Sequence, residues 1–146
     1  MKYITTQYQN YFNNLKNEIS QYKNESDIWL LKGEIKNSPG TLTLHLCGNL
    51  NHNFGAVLGG NGYVRNRDKE FTDRNINKAE LLKLINETEK TVIPVIESLT
   101  PEEMSEQFPE KFKDEEQTVY DAVIRLSFHF AYHVGQINYH RRLLTN

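Results

Sequence analysis

The chain has 146 residues, the length of about one domain, so we expect a single domain over residues 1–146 with one hydrophobic core. Its 17 Lys and Arg nearly balance its 19 Asp and Glu, which excludes the large basic surface of a nucleic-acid-binding protein. The sequence has no signal-peptide pattern, no apolar run of membrane length and only one cysteine, so we expect a soluble, cytoplasmic protein without a disulfide.

Apolar residues recur at steps of three and four in four long segments, which predicts four amphipathic helices. These segments cover residues 4–22, 38–58, 77–99 and 118–144. Pro94 lies inside the third segment, where it should kink the helix or shift its end. No segment shows convincing strand character, so the predicted fold class is an all-α four-helix bundle.

The connection between the second and third helices is long and charged. It covers residues 61–76, whereas a simple helical hairpin needs only about 2–8 connecting residues. Such a length permits the second and third helices to run parallel. A short extra turn is predicted at residues 100–103, and residues 105–117 read as a loop.

The five histidines all lie within residues 45–52 and 129–140. His129 and His133 are four residues apart, so they project from one face of the last helix. His45 lies within the apolar stripe of the second helix, and its side chain should point into the bundle. Neutral imidazole is a common ligand of zinc-like ions, and three such ligands leave a coordination position open. The other interpretation is that these are buried histidines satisfied by hydrogen bonds.

The remaining candidate residues receive weaker assignments. His52 follows His45 by one heptad, too far along the helix to share one ion, so it should support a ligand, lie at the far end of the bundle or be exposed. His140 should lie on the surface or in a dimer interface. Cys47 should serve packing, because neither His45 nor His52 is placed to act as its co-ligand or base. The last helix also lacks the glutamate of the H-E-x-x-H protease motif.

Three segments in order along the chain resemble the DinB-like (YfiT-like) superfamily. The sequence HFAYHVGQI at 129–137 resembles its H-x-x-x-H-x-G-[QE]-[IL] signature in the last helix. The sequence SPGTLTLHLCGNL at 38–50 resembles the motif of its second helix, in which a His-Leu step carries a ligand. The sequence NRDKEF at 66–71 is similar to the R-D-R-D-x-E-F crossover of a subgroup of uncharacterised DinB-related proteins, with Asn66 where Arg is common.

The resemblance implies a bundle of up-down-down-up order, often assembled as a homodimer. It implies His45, His129 and His133 as ligands of a divalent metal, with Zn²⁺ or Ni²⁺ as the first choice and Fe²⁺ or Co²⁺ as further choices. Asn49 and Gln136, each about one turn from a ligand, are candidates for supporting the site. The catalytic groups themselves and the residues that bind a cosubstrate stay unassigned.

Characterised relatives of this superfamily include metal-dependent transferases that use bacillithiol, mycothiol or glutathione, and a maleylpyruvate isomerase. The resemblance therefore implies a divalent-metal-dependent enzyme that activates a low-molecular-weight thiol and transfers it to an electrophilic small molecule. The alternatives are a metal-dependent hydrolase or isomerase, a non-catalytic metal-binding or stress-response helical dimer, and a purely structural helical dimer. We expect neither nucleic acid nor a membrane as a partner.

Overall fold

A computed structural model describes residues 2–144, and this part of the chain is all-helical, without a strand. The α-helices are α1 (Lys2–Ser20), α2 (Pro39–Leu50), α3 (Arg67–Thr72), α4 (Lys78–Ser98), α5 (Pro101–Ser105) and α6 (Val119–Leu144). A 3₁₀ turn occupies Glu25–Trp29, and α2 continues directly into a π-helical segment, Asn51–Leu58. No helix between residues 2 and 144 is both long and apolar enough to cross a membrane.

The helices begin where the sequence places capping residues. Ser38, Asn77 and Thr100 each accept a hydrogen bond from the backbone N–H three residues on, at 2.8–3.2 Å. Thr118 accepts in the same way from the N–H of Asp121, which in turn accepts from the backbone of Thr118. These bonds satisfy N–H groups that the first turn of a helix leaves without partners. The predicted starts of the second, third and last long helices are therefore confirmed.

Helix α4 covers the predicted third segment and continues through Pro94 to Ser98. Two local features differ from the predicted elements. The long crossover contains the short helix α3, which the apolar periodicity did not reveal. The last two turns of the second helix are π-helical, and the Asn51 side chain there donates to the Cys47 carbonyl and the Thr88 hydroxyl. Such π-helical segments are rare in proteins.

Helix α1 packs along both α4 and α6. The Tyr8 hydroxyl donates to the Val123 carbonyl at 2.7 Å, and Tyr22 lies beside His140, so α1 and α6 run in the same direction. Lys16 pairs with Glu89 at 2.8 Å, and Lys78 at the start of α4 donates to the Tyr22 carbonyl, so α4 runs in the opposite direction. The two sets of contacts enclose the aromatic core around Phe12, Phe54 and Phe130.

Helix α2 packs against α4 on one side and α6 on the other. Asn51 contacts Thr88, and Gly55, four residues on, lies beside Thr91, so α2 and α4 run in the same direction. On the opposite side, His45 meets His129 of α6. The α2–α6 contact is therefore the place where the two histidine-containing segments of the sequence come together.

Candidate metal centre

The structure brings three histidines from α2 and α6 to one point. The Nε2 atom of His129 lies 3.2 Å from Nε2 of His45 and 3.0 Å from Nε2 of His133. One ligand atom from each of the three residues lies within 4.8 Å of the other two, so this group could hold a metal ion. His45 is only 9% exposed, and the other two are half-buried, as the predicted orientation of His45 required.

In His45 and His133, the ring nitrogen that faces away from the common point forms a hydrogen bond, and this bond shows which nitrogen carries the proton. His45 Nδ1 lies 3.0 Å from Oε2 of Glu70, and a carboxylate can only accept, so Nδ1 carries the proton. His133 Nδ1 lies 2.7 Å from Oε1 of Gln136, whose amide nitrogen donates to the Tyr132 hydroxyl. Both histidines therefore present an unprotonated Nε2 to the common point, the form that binds metal.

The Glu70 carboxylate is itself held by Arg65. Arg65 donates to both carboxylate oxygens, Nε to Oε1 at 2.6 Å and Nη2 to Oε2 at 2.8 Å. Arg65 Nη2, which can only donate, lies farther from His45 Nδ1, at 3.4 Å, so the shorter contact with the Glu70 carboxylate decides the tautomer. Burial raises the pKa of Glu70, and the hydrogen bonds from Arg65 and His45 outweigh this, so its pKa lies below the usual value.

Gly48 leaves the space that Glu70 occupies. Glu70 is 6% exposed and lies directly over the backbone of α2 at Gly48. A Cβ atom at position 48 would overlap with the Glu70 carboxylate. The glycine in the middle of this helix therefore has a steric reason, although glycine weakens a helix interior.

The electrostatics of the cluster keep the histidines of α6 neutral. Burial, followed by the neighbouring charges of His133 and His45, lowers the pKa of His129 from 6.5 to about 4. Burial also lowers the pKa of His133, and the hydrogen bond with Gln136 only partly offsets this. Neutral imidazoles with inward lone pairs are the donor set of a zinc-type ion, so the residues present fit a divalent metal.

Asn49 and Gln136, the two candidates for supporting the site, behave differently. Gln136 bonds directly to His133, as described above. Among residues 2–144, Asn49 forms no hydrogen bond with any of the three histidines. Its Oδ1 atom is enclosed and has no hydrogen-bond partner in residues 2–144. A buried acceptor without a donor is rare in proteins.

The other residues singled out in the sequence lie outside the cluster. His52 pairs with the Glu110 carboxylate at 2.9 Å, towards the N-terminal end of α6. The prediction that His140 lies on the surface or in a dimer interface is wrong. His140 is 5% exposed and lies between the Tyr22 hydroxyl and the Leu30 carbonyl, each at 2.9 Å, because α1 and the segment after the 3₁₀ turn cover it. Cys47 is buried in the core, and burial raises its pKa to about 12.

Arg65 and Glu70 were not among the residues predicted for the site. They are five residues apart in a charged crossover, and no helical or strand period relates them to His45. The available signal was the 66–71 segment of the resemblance, which contains Glu70. Asn66, the position that departs from that pattern, accepts a hydrogen bond from the Lys69 backbone and caps α3.

The fold and the cluster define an all-helical protein over residues 2–144, with a partly buried three-histidine group that could hold a metal ion. The whole chain, residues 1–146, matches the family model described as "Protein of unknown function (DUF1572)". The chain belongs to this family, which is uncharacterised and DinB-like. No curated protein matches the sequence.

Proposed function

We propose that this protein is a divalent-metal-dependent enzyme that activates a low-molecular-weight thiol and transfers it to an electrophile. The observation that carries the proposal is the meeting of three Nε2 atoms, with the His45 ring fixed from outside by Glu70 and the His133 ring by Gln136. Structural zinc sites are closed by four protein ligands, usually including cysteine, whereas three histidines leave a position for a reactant. Zn²⁺ or Ni²⁺ is the proposed ion, with Fe²⁺ or Co²⁺ as further choices.

The residues around the three histidines favour an external thiol, rather than a metal-activated water, as the nucleophile. In residues 2–144, the potential ligand group consists of histidines only, and the nearest carboxylate, Glu70, is engaged by Arg65 and His45. In this part of the chain, the carboxylate bonded to the cluster is thus already engaged by Arg65 and His45, which makes it a poor general base for a hydrolase. A bound divalent ion would hold the thiol as thiolate, which is the nucleophilic form.

The protein's own thiol is unsuited to this role. Cys47 is buried, and a pKa of about 12 keeps it protonated at neutral pH. The reacting sulfur would then come from a cosubstrate such as bacillithiol or glutathione. Glu70 and Gln136 would hold His45 and His133 in position.

The architecture we propose is a four-helix bundle of up-down-down-up order. The directions of α1, α2, α4 and α6 relative to one another support this order. We also propose a homodimer. The support for it is the resemblance to the DinB-like superfamily, whose members are often homodimers.

Metal content tests the site itself. His45→Ala and His129→Ala should each lower the stoichiometry of bound Zn²⁺ from about one per chain to near zero, because two imidazoles hold an ion far less tightly than three. The matched control is His52→Ala, which removes a histidine of the same helical segment that pairs with Glu110 instead. Equal metal content in the wild type, both cluster variants and the control would overturn the assignment of a metal site to these histidines.

Enzymatic activity is tested separately. Protein loaded with Zn²⁺ or Ni²⁺ is mixed with bacillithiol, glutathione or mercaptoethanol and with monochlorobimane, and conjugate formation is followed by fluorescence. We expect a metal-dependent rate with at least one of these thiols, and its loss in His129→Ala. Tight metal binding without any thiol-dependent rate would contradict the enzyme and favour the non-catalytic metal-binding protein.

A further inference from the structure

A cleft of about 610 Å³ opens beside the candidate metal centre. One wall is formed by residues 34–37 and the start of α2, and the other by one face of α6 from Tyr132 to Leu143. That stretch of α6 is roughly 16 Å long at 1.5 Å per residue. The volume lies within the usual range of small-molecule sites.

The cleft reaches the histidine cluster. His133 and Gln136 contribute to its wall, and these two side chains are bonded to each other through His133 Nδ1. The Tyr132 hydroxyl accepts a hydrogen bond from the Gln136 amide. Tyr132 lies in the same wall, with its ring 5.2 Å from that of His133. A molecule in the cleft therefore has one end at His133, one of the three candidate ligands.

Apart from His133, Gln136 and His140, the uncharged lining of the cleft is mainly apolar and aromatic. It includes Ile35, Leu42 and Leu143 with the rings of Tyr132 and Tyr139, which are 63% and 69% exposed. Exposed tyrosine rings offer a large apolar area with a polar tip, which suits a ligand with a flat apolar body. Glu34 and Lys36 carry opposite charges on the same wall, so charge alone selects neither an anion nor a cation.

We propose that this cleft binds the molecule on which the metal centre acts, and that its ligand is an amphipathic small molecule with an aromatic body. The polar end lies at His133 and Gln136, and the aromatic body lies between Ile35 and the two tyrosines. The assignment of the polar end rests on the proposed function. The assignment of the apolar body rests on the walls of the cleft alone.

Two probes that differ only in the body of the ligand test this proposal. Imidazole and 4-phenylimidazole are titrated into Co²⁺-loaded protein, and the visible spectrum of the ion reports binding. We expect 4-phenylimidazole to bind about 10-fold more tightly than imidazole, since roughly 1.4 kcal/mol of apolar contact gives a factor of ten. In Tyr139→Ala and Leu143→Ala, the preference should fall towards one, while the affinity for imidazole stays unchanged.

Phe128→Ala is the matched control, because Phe128 is an equally exposed aromatic residue of α6 that lies outside the cleft. It should keep the preference of the wild type. A wild type without a preference, or a preference that survives the loss of Tyr139, would overturn the proposal. If Tyr139→Ala changes the oligomeric state in sedimentation and leaves the preference intact, this face of α6 is an interface between copies and the proposal fails.

The metal-free protein separates this proposal from the proposed function. Saturation-transfer NMR should detect the phenyl protons of 4-phenylimidazole on the wild type, with the signal lost in Tyr139→Ala. If the same protein also fails to bind metal in the metal-content experiment, a phenyl signal would retain the cleft while the proposed enzyme is refuted. Metal binding with no phenyl signal and no preference between the probes would refute the cleft and retain the proposed enzyme.

Discussion

The histidine cluster depends on side chains that would not themselves contact an ion. Glu70 fixes the proton of His45 on Nδ1, Arg65 holds Glu70 through both carboxylate oxygens, and Gly48 leaves the space for that carboxylate. Outer partners of this kind orient a ligand ring and raise its basicity. Three residues from two segments of the chain, Gly48 in α2 with Arg65 and Glu70 in the crossover, thus determine the position of one imidazole.

Glu70→Gln should weaken Zn²⁺ binding by about 10- to 100-fold, the usual cost of removing an outer partner of a ligand. The amide keeps the shape of the side chain but loses the charge that supports the protonated Nδ1 and pairs with Arg65. The measurement is competition with a chromophoric chelator at pH 7. The control is Glu110→Gln, which changes the carboxylate that pairs with His52, outside the cluster. An unchanged dissociation constant in Glu70→Gln would show that Glu70 does not support the ligand.

At the scale of the helices, α2 and α6 each contain an internal glycine, and the two have different surroundings. Gly48 of α2 lies under the Glu70 carboxylate, whereas a Cβ at Gly135 of α6 would have open space around it. Alanine is favoured over glycine in a helix interior by about 1 kcal/mol, provided that the methyl group has room. The same substitution should therefore have opposite effects at the two positions.

Gly135→Ala should raise the free energy of unfolding by about 0.5–1 kcal/mol, and Gly48→Ala should lower it, because the new methyl group displaces Glu70 from His45 and Arg65. Urea unfolding of the metal-free variants gives both values, and sedimentation checks that neither changes the oligomeric state. Stabilisation by Gly48→Ala would mean that Glu70 moves aside without loss. Destabilisation of a monomeric Gly135→Ala would show that this glycine has a role within its own chain.

At the scale of the whole molecule, the cluster couples the fold to pH. The pKa of His129 falls from 6.5 to about 4 on folding, because burial and the other two histidines oppose its charge. Between these two values the unfolded chain binds more protons than the folded one. The metal-free protein should therefore lose stability as the pH falls from about 6.5 to about 4, and Glu70, whose pKa is also lowered, adds to the loss below its unfolded value of 4.5.

His129→Gln should flatten this dependence on pH. We expect the free energy of unfolding of the metal-free wild type to drop between pH 7 and pH 5, and the drop to be smaller in His129→Gln, because glutamine does not titrate. Urea unfolding at several pH values, with a chelator present, measures both. Parallel curves for the two proteins would show that His129 titrates alike in the folded and unfolded states.

The sequence predicts the long helices well because helical order is a local property. Apolar spacing and capping side chains act within about four residues, and Ser38, Asn77 and Thr118 mark their helix starts as predicted. The spacing of His129 and His133 likewise places them on one face of α6 without any tertiary information. The short helix α3 was missed because six residues offer too few periods to recognise.

The sequence by itself thus determined the helical class, the helix starts and the pairing of His129 with His133, because each follows from the period of one helix. Only the tertiary structure decided that His45 meets this pair, that Glu70 and Arg65 fix its proton, and that His140 is buried under α1. The reason is distance along the chain. These contacts join residues 25 to 118 positions apart, and no local pattern specifies which of two helix faces will touch.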